Sequence, residues 1–352
     1  MKKDHPSREI FDKLVDSPYP AFAFVAGVKL DVFTPLGDGP KTAEELAAVL
    51  NVDPRKLSPL LYALVVAGVL TLEDGAFANT PESDHYLVKG REEYIGNLCE
   101  AFEKRWHWAL QTAESIRTGK PQAGHDYAAM SGAERDTFFR DLHPNALETG
   151  RMLVDRLNLA ERRHLVDVGG GSGGLAIAAC ERCPQLLATV IELPSVAPIT
   201  ETIVAESGLS GRVAVVTHDV VASPPPTRCD VAVFRAVLQV LTHDDARDAV
   251  INVGQTIEAG GTMCILSRVL QDSRLEPEQT VAQNLVFLNI YDGGQAYTVG
   301  EHRAWLRNAG FPDFEMFTRP DGRSVITATK PATADTLPGT TSGAAAEWPG
   351  EA

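Results

Sequence analysis

The sequence predicts an α/β protein, a parallel, doubly wound sheet preceded by a smaller, mostly helical domain. Three observations predict it. From about residue 161 short apolar segments recur (HLVDV, ATVIEL, VAVVTHDV, CDVAVFRAVL and GTMCILSRVL), each read as separated from the next by a helix-length segment. The first of them runs into Gly169-Gly170-Gly171-Ser172-Gly173-Gly174 and then into a helix-forming LAIAAC. Before residue 100 the texture is different, two helices followed by a hairpin.

Residues 1 to about 18 are polar and start the first helix, and 19–36 carry apolar residues at helical spacing. Thr42 and Glu45 stand three apart as a capping box for the next helix, which Asn51-Val52-Asp53-Pro54 ends. A second helix then lines up Leu57, Leu60, Leu61 and Leu64. LTLEDGAFANT reads as two short strands around Asp74-Gly75. Together these make a winged helix. Its second helix carries only Arg55 and Lys56 near its start, and its remainder is apolar and reads as buried, so a dimerisation or substrate-lid module fits better than a DNA groove. The domain boundaries expected are 1–100 for the winged helix, 101–151 for a helical connector broken at GKPQAGHD (119–126), and 152–331 for the sheet domain. FEMFTRPDGRSVITATK closes that domain as a hairpin around Asp321-Gly322, and 332–352 reads as a disordered tail.

The 352 residues hold 47 Asp and Glu against 32 Lys and Arg, a net charge of −15. That balance disfavours a nucleic-acid partner and an anionic membrane surface, both of which need clustered Lys and Arg. No apolar run approaches the ~20 residues of a membrane span, and no signal core follows the N-terminal Met-Lys-Lys, so a cytoplasmic protein is expected. The five cysteines are scattered; Cys180 and Cys183 form a lone C-x-x-C without a second pair, and no metal is expected.

The glycine run is ambiguous by itself. It satisfies G-x-G-x-x-G for a dinucleotide (169, 171, 174) and G-x-G-x-G for S-adenosylmethionine (169, 171, 173). Asp167, two residues before the first glycine, can attract a cationic amine. Glu192 closes the second strand, where a carboxylate takes ribose hydroxyls. Either cofactor would use these two. Asp219, at the end of the third strand and followed by Val220, can accept from an adenine amino group, which favours S-adenosylmethionine. A dinucleotide would need a further half-site for its nicotinamide, and the sequence offers no candidate.

LVDVGGGSGG, IELPSV, HDVV, the FRAVL strand and GGQAYT together resemble the small-molecule O-methyltransferases of plants and bacteria, over roughly residues 15–330. The resemblance implies a class I methyltransferase domain of Rossmann-like architecture behind a winged-helix dimerisation domain, hence a homodimer acting on a small-molecule acceptor. It implies that Asp167, Gly169, Gly171, Gly173, Glu192, Asp219, Val220 and Arg235 line the S-adenosylmethionine site. It also places Phe287 and Tyr291 on a helix facing the acceptor, and Trp106 and Trp108 on a linker helix able to roof it, although core packing would equally explain these aromatics.

The chain departs from the family at the base. The family's catalytic His lies in a Leu-His-Asp-Trp stretch, which here reads Leu238-Gln239-Val240-Leu241. Gln239 cannot take a proton at any accessible pH. The two carboxylates that orient the family's His match Ser267 and Ala296. His243 reads as a first-turn helix residue, with Thr242 and Asp245 starting that helix, and His143 falls near the methyl donor. The candidates left for chemistry are Gln239, His143 and Tyr291. The expected function is methyl transfer to a small metabolite by positioning and in-line displacement, with oxygen favoured by resemblance and carbon, sulfur or nitrogen by the missing base. The alternatives are a cofactor-retaining enzyme that does not methylate (decarboxylase, hydroxylase or pericyclase type) and a non-enzymatic binding protein.

Overall fold

A computed structural model describes residues 6–91, 93–96, 99–124 and 130–332; the expected tail beyond Ala332 lies outside the described residues. The chain divides between His107 and Trp108 into two compact units.

The first unit comprises helices α1 (Glu9–Asp16), α2 (Tyr19–Lys29), α3 (Phe33–Leu36), α4 (Ala43–Leu50) and α5 (Pro54–Val66), the hairpin β1 (Leu70–Glu73) and β2 (Ala76–Asn79), helix α6 (Pro81–Leu87) and the larger part of α7 (Cys99–Ala109). Its local signals are realised as side-chain bonds. The Glu45 N–H donates to Thr42 Oγ1 (3.2 Å) and the Thr42 N–H to Glu45 Oε2 (2.8 Å), the reciprocal pair of a capping box. Asn51 ends α4 with a left-handed φ of 54°. Asp74 and Gly75, at φ of 49° and 83°, form the tight turn that a two-residue hairpin requires. Leu57, Leu61 and Leu64 of α5 are buried with Phe33, Leu46 and Phe77. The Arg55 guanidinium folds back on Asp53 (3.0 Å), which also caps α5. α1 buries nothing, and exposes Ile10, Phe11, Leu14 and Val15.

The second unit begins with α8 (Thr112–Thr118) and the long α9 (Gly132–Arg156). It continues through β3 (His164–Val168), α10 (Gly174–Arg182), β4 (Leu187–Glu192), α11 (Ala197–Glu206), β5 (Val213–Thr217), β6 (Cys229–Arg235), α12 (His243–Thr256) and β7 (Ile257–Ser267). Last come β8 (Val269–Leu270), α13 (Glu278–Ile290), β9 (Tyr297–Thr298), α14 (Val299–Asn308), β10 (Glu315–Thr318) and β11 (Ser324–Thr329). The main sheet has the order β10-β11-β7-β6-β3-β4-β5. β5, β4, β3, β6 and β7 run parallel, whereas β11 pairs antiparallel with β7, and β10 with β11.

Two expectations are corrected here. The sheet is mixed at one edge, because the closing hairpin adds both of its strands to it. No helix joins β5 to β6; residues 218–228 form an irregular connection. Its Pro224, Pro225 and Pro226 lack the N–H groups a helix needs.

Both faces of the sheet are covered, which explains the near-continuous apolar strands. Val166, Val168, Phe234 and Ile265 pack with Val250, Trp305 and Leu306 on one side. Leu165, Val231, Val233 and Leu266 pack with Leu153, Leu175 and Ile177 on the other. The chain winds outward through β3, β4 and β5, then returns to the far side of β3 for β6 and β7. Ligands of such sheets bind at the carboxyl ends of the strands beside that reversal. α9 lies close against α10: a Cβ on Gly150 would come within 2.6 Å of the Leu175 carbonyl oxygen and 2.9 Å of Ala178 Cβ. Gly150→Ala is therefore expected to cost about 1–3 kcal/mol and lower the melting temperature; an unchanged melting curve would contradict this close approach.

Candidate functional site

At the end of β3 the chain turns through three glycines with positive φ, Gly169 (61°), Gly171 (59°) and Gly173 (71°), conformations that cost other residues strain. Gly170 is constrained by space: a Cβ there would meet Asp167 Oδ2 at 2.6 Å and Val190 Cγ1 at 2.7 Å. The loop is pinned from three sides. The Gly169 N–H donates to the Ile191 carbonyl (2.8 Å), and the Gly171 N–H to Glu192 Oε1 (2.7 Å). Thr200 Oγ1 donates to the Gly171 carbonyl (2.5 Å).

Asp167 lies beneath this turn with no exposed surface, and neither carboxylate oxygen has a hydrogen-bond partner among the described residues. Burial pushes its carboxyl up to about 7, with Arg235 opposing and Glu192 adding to the rise. The Ala176 amide, near the start of α10, draws weakly towards the ionised form from outside hydrogen-bonding geometry. Arg235, at the end of β6, does not bond to Asp167. Its Nε donates to Thr149 Oγ1 (3.1 Å) and its terminal nitrogen to Asn145 Oδ1, both on α9. Burial lowers the Arg235 pKa, and the field of Asp167 opposes that. A buried, unpartnered carboxylate under a glycine turn is costly unless a ligand supplies a cation. The residues fit an ammonium-bearing ligand.

Glu192 is 7% exposed, and its second oxygen accepts the Leu193 N–H (2.9 Å). Burial raises its pKa against those two amides. Each carboxylate oxygen keeps a lone pair for a hydroxyl donor. Asp219 is exposed, its Oδ1 accepting the Val221 N–H (2.9 Å) in a turn, beside the buried Val220. Asn252 Nδ2 holds that turn by donating to the carbonyls of Val220 (2.9 Å) and Val221 (3.1 Å).

His143, on α9, stands at the glycine loop: its Nδ1 is 3.0 Å from Ser172 Oγ. Burial and the nearby Arg140 lower its pKa, against Glu181 and Glu206, so the imidazole is predominantly neutral. Gln239 sits in a short 3-10 turn (Leu238–Val240), just after Ala236, which holds a positive φ of 59°. Its amide oxygen accepts from Ser267 Oγ (2.9 Å) and from the Arg268 backbone N–H (3.3 Å). Phe287 and Tyr291 pack at the end of α13, their ring centroids 5.8 Å apart, with Ala296 and Leu270 in the same cluster. Burial raises the Tyr291 pKa. Trp106 is half-buried in the first unit, its ring edge-on to Phe22 at 5.0 Å. His243 begins α12 on the surface, capped as expected by Thr242, and its ring lies against Tyr297 and Trp305.

Sequence reading missed Asn145, Thr149 and Ser172. The spacing of Asn145 and Thr149, four apart on one helix, was the available signal for a shared face. Nothing local ties either of them to Arg235, or Ser172 to His143.

Known proteins account for both units. The O-methyltransferase domain family matches residues 113–312, and the O-methyltransferase dimerisation domain family matches residues 13–89. The chain is 29% identical to 3-hydroxy-5-methyl-1-naphthoate 3-O-methyltransferase of Streptomyces sahachiroi, over 87% of this chain and 90% of that one. It is 27% identical to L-tyrosine C(3)-methyltransferase of Streptomyces lavendulae, over 88% and 90%. Human N-acetylserotonin methyltransferase, solved with S-adenosylmethionine, shares the fold at a TM-score of 0.71 and 21% identity, over 94% of this chain and 100% of that one. With its glycine turn at the end of β3 and a dimerisation domain ahead of it, this chain belongs to the O-methyltransferase family.

Proposed function

We propose that the protein transfers a methyl group from S-adenosylmethionine to a small-molecule acceptor and does so without a histidine base. The observation that carries the cofactor assignment is the solitary Asp167 carboxylate under the glycine turn. The methionine ammonium would give it the countercharge it lacks. Gly169, Gly171 and Gly173 let the ligand approach the backbone, Glu192 accepts from the ribose hydroxyls, and Asp219 with Val220 receives the adenine. Arg235, held by α9, keeps Asp167 from being fully neutralised by a proton. S-adenosylmethionine, when bound, supplies a methyl group already activated on a sulfonium. What remains for the chain is to orient the acceptor and exclude water.

On the acceptor side, Gln239 orients the acceptor, while Phe287 and Tyr291 supply apolar and aromatic surface. Neutral His143 braces the glycine loop through Ser172. The acting species is a dimer: Ile10, Phe11, Leu14 and Val15 of α1, each more than 60% exposed, form an apolar strip suited to a second copy, and α1 runs into the region, residues 13–89, matched by the dimerisation family. Isothermal titration of the full chain with S-adenosylhomocysteine tests the reading. One site per chain is expected; no measurable heat at micromolar protein would sink it. Light scattering should return twice the chain mass, and a monomer would refute the dimer.

A further inference from the structure

We infer that the acceptor pocket selects substrates whose reacting hydroxyl is already ionised, namely vinylogous acids such as hydroxyquinones and enolised 1,3-dicarbonyls. The inference rests on the methyltransferase reading above and narrows its substrate class.

A glutamine amide has one acceptor oxygen and two N–H donors. At Gln239 the oxygen is occupied twice, by the Ser267 hydroxyl (2.9 Å) and by the Arg268 backbone amide (3.3 Å). The Arg268 N–H can only donate, so the atom it meets is the oxygen, and the orientation of the amide is fixed. Nε2 donates to no group among the described residues. What half-buried Gln239 can offer a ligand is therefore a donor and nothing else.

The neighbouring polar group has the same character. A Cβ on Gly294 would come within 2.8 Å of Tyr291 Cβ and clash with the Gln239 carbonyl, so these two residues flank one glycine. Tyr291 is a phenol that burial keeps protonated, and its hydroxyl makes no hydrogen bond among the described residues. The position matching the family's second carboxylate is Ala296, fully buried against Phe287 and Leu270. His243 and His302 belong to the aromatic cluster of Tyr297 and Trp305 instead.

Donors without a base favour an oxyanion. A hydrogen bond to an ionised oxygen is roughly twice as strong as one to a neutral oxygen. A neutral hydroxyl would have to shed its proton with no carboxylate or imidazole among the described residues bonded to Gln239 or Tyr291. With an oxyanion the transfer balances without proton movement. The O–CH3 bond forms as the S–CH3 bond breaks, the bonding pair returns to sulfur, and the negative and positive charges cancel.

The test compares 2-hydroxy-1,4-naphthoquinone, an acidic chromophore, with 1-naphthol, a weakly acidic phenol of the same ring size. Both are titrated into the full chain holding S-adenosylhomocysteine at pH 7. The quinone is expected to bind about tenfold or more tightly than 1-naphthol. Its bound absorption should remain that of the anion below the pH at which the free compound protonates. Gln239→Leu should lose about tenfold in quinone affinity and move the bound midpoint upward, and Ser267→Ala should lose less, as expected when a hydrogen bond to charge is removed or loosened. S-adenosylhomocysteine affinity should be unchanged in both variants. Equal or weaker binding of the quinone, a neutral bound spectrum, binding of neither compound, or an unaffected Gln239→Leu would each overturn the inference. Failure of the wild type to bind S-adenosylhomocysteine would instead overturn the methyltransferase reading itself.

Discussion

Asp167→Asn is expected to weaken S-adenosylhomocysteine binding by about two to three orders of magnitude, the loss that follows when a buried charge loses its partner. The unliganded protein should at the same time become more stable at pH 8. The two effects share one cause. The carboxylate is fully buried with neither oxygen hydrogen-bonded among the described residues. Its pKa rises from an ordinary 3.8 to about 7, which corresponds to on the order of 4 kcal/mol.

The sign follows from which form the fold prefers. Folding favours the protonated acid, so this group leaves stability unreduced below about pH 4. It takes stability away as pH rises towards about 7, and the full penalty persists above that. Asparagine removes the charge and most of that pH dependence, although its own buried amide returns about 1–3 kcal/mol of cost. Binding has the opposite dependence. An ammonium ligand requires the ionised carboxylate, so S-adenosylhomocysteine affinity should fall about tenfold per pH unit below pH 7 and level off above it. Titration at pH 6 in buffers of different ionisation enthalpy should reveal a proton released on binding. Affinity independent of pH between 5.5 and 8, or an Asn variant that binds normally, would show that Asp167 does not face the ligand's charge.

Gln239→His is the second large effect. It introduces an imidazole with an ordinary pKa near 6.5. Ser267 Oγ, now 2.9 Å from the Gln239 oxygen, is placed to accept from one ring nitrogen and leave the other as a base. General-base assistance contributes about 10²–10⁴-fold. The gain should appear for a weakly acidic hydroxyl such as that of 1-naphthol, and be small for one that arrives ionised. The pH–rate profile for 1-naphthol should acquire a limb near 6.5 that the wild type lacks, measured by initial rates of S-adenosylhomocysteine formation. A wild-type enzyme that already shows such a limb would mean that another residue supplies the base. Ser267→Asp combined with Gln239→His should strengthen the effect by holding the imidazole in one tautomer.

Much of the architecture was legible because its signals are local. A capping box needs two side chains three residues apart, and Thr42 with Glu45 forms one. A two-residue hairpin turn needs left-handed residues, and Asp74-Gly75 supplies them. Strands covered on both faces need unbroken apolar runs, and β3, β4, β6 and β7 have them. The same reading expected a helix between β5 and β6 and missed what three consecutive prolines forbid. The candidate site was legible only as spacing: the glycine turn and the carboxylates at 167, 192 and 219.

Fold class, the order of the strands and the identity of the residues at the strand ends were readable from sequence, since each depends on propensity and periodicity within a few positions. Tertiary structure alone decided the state of those residues. That Asp167 has no hydrogen-bond partner among the described residues goes with Arg235 being held by Asn145 and Thr149, some 90 and 86 residues away in the chain. That Gln239 is a donor depends on Ser267, 28 residues on, filling its oxygen. A carboxylate's charge and an amide's orientation are set by whatever lies within about 3 Å, and only the packed chain brings those neighbours there.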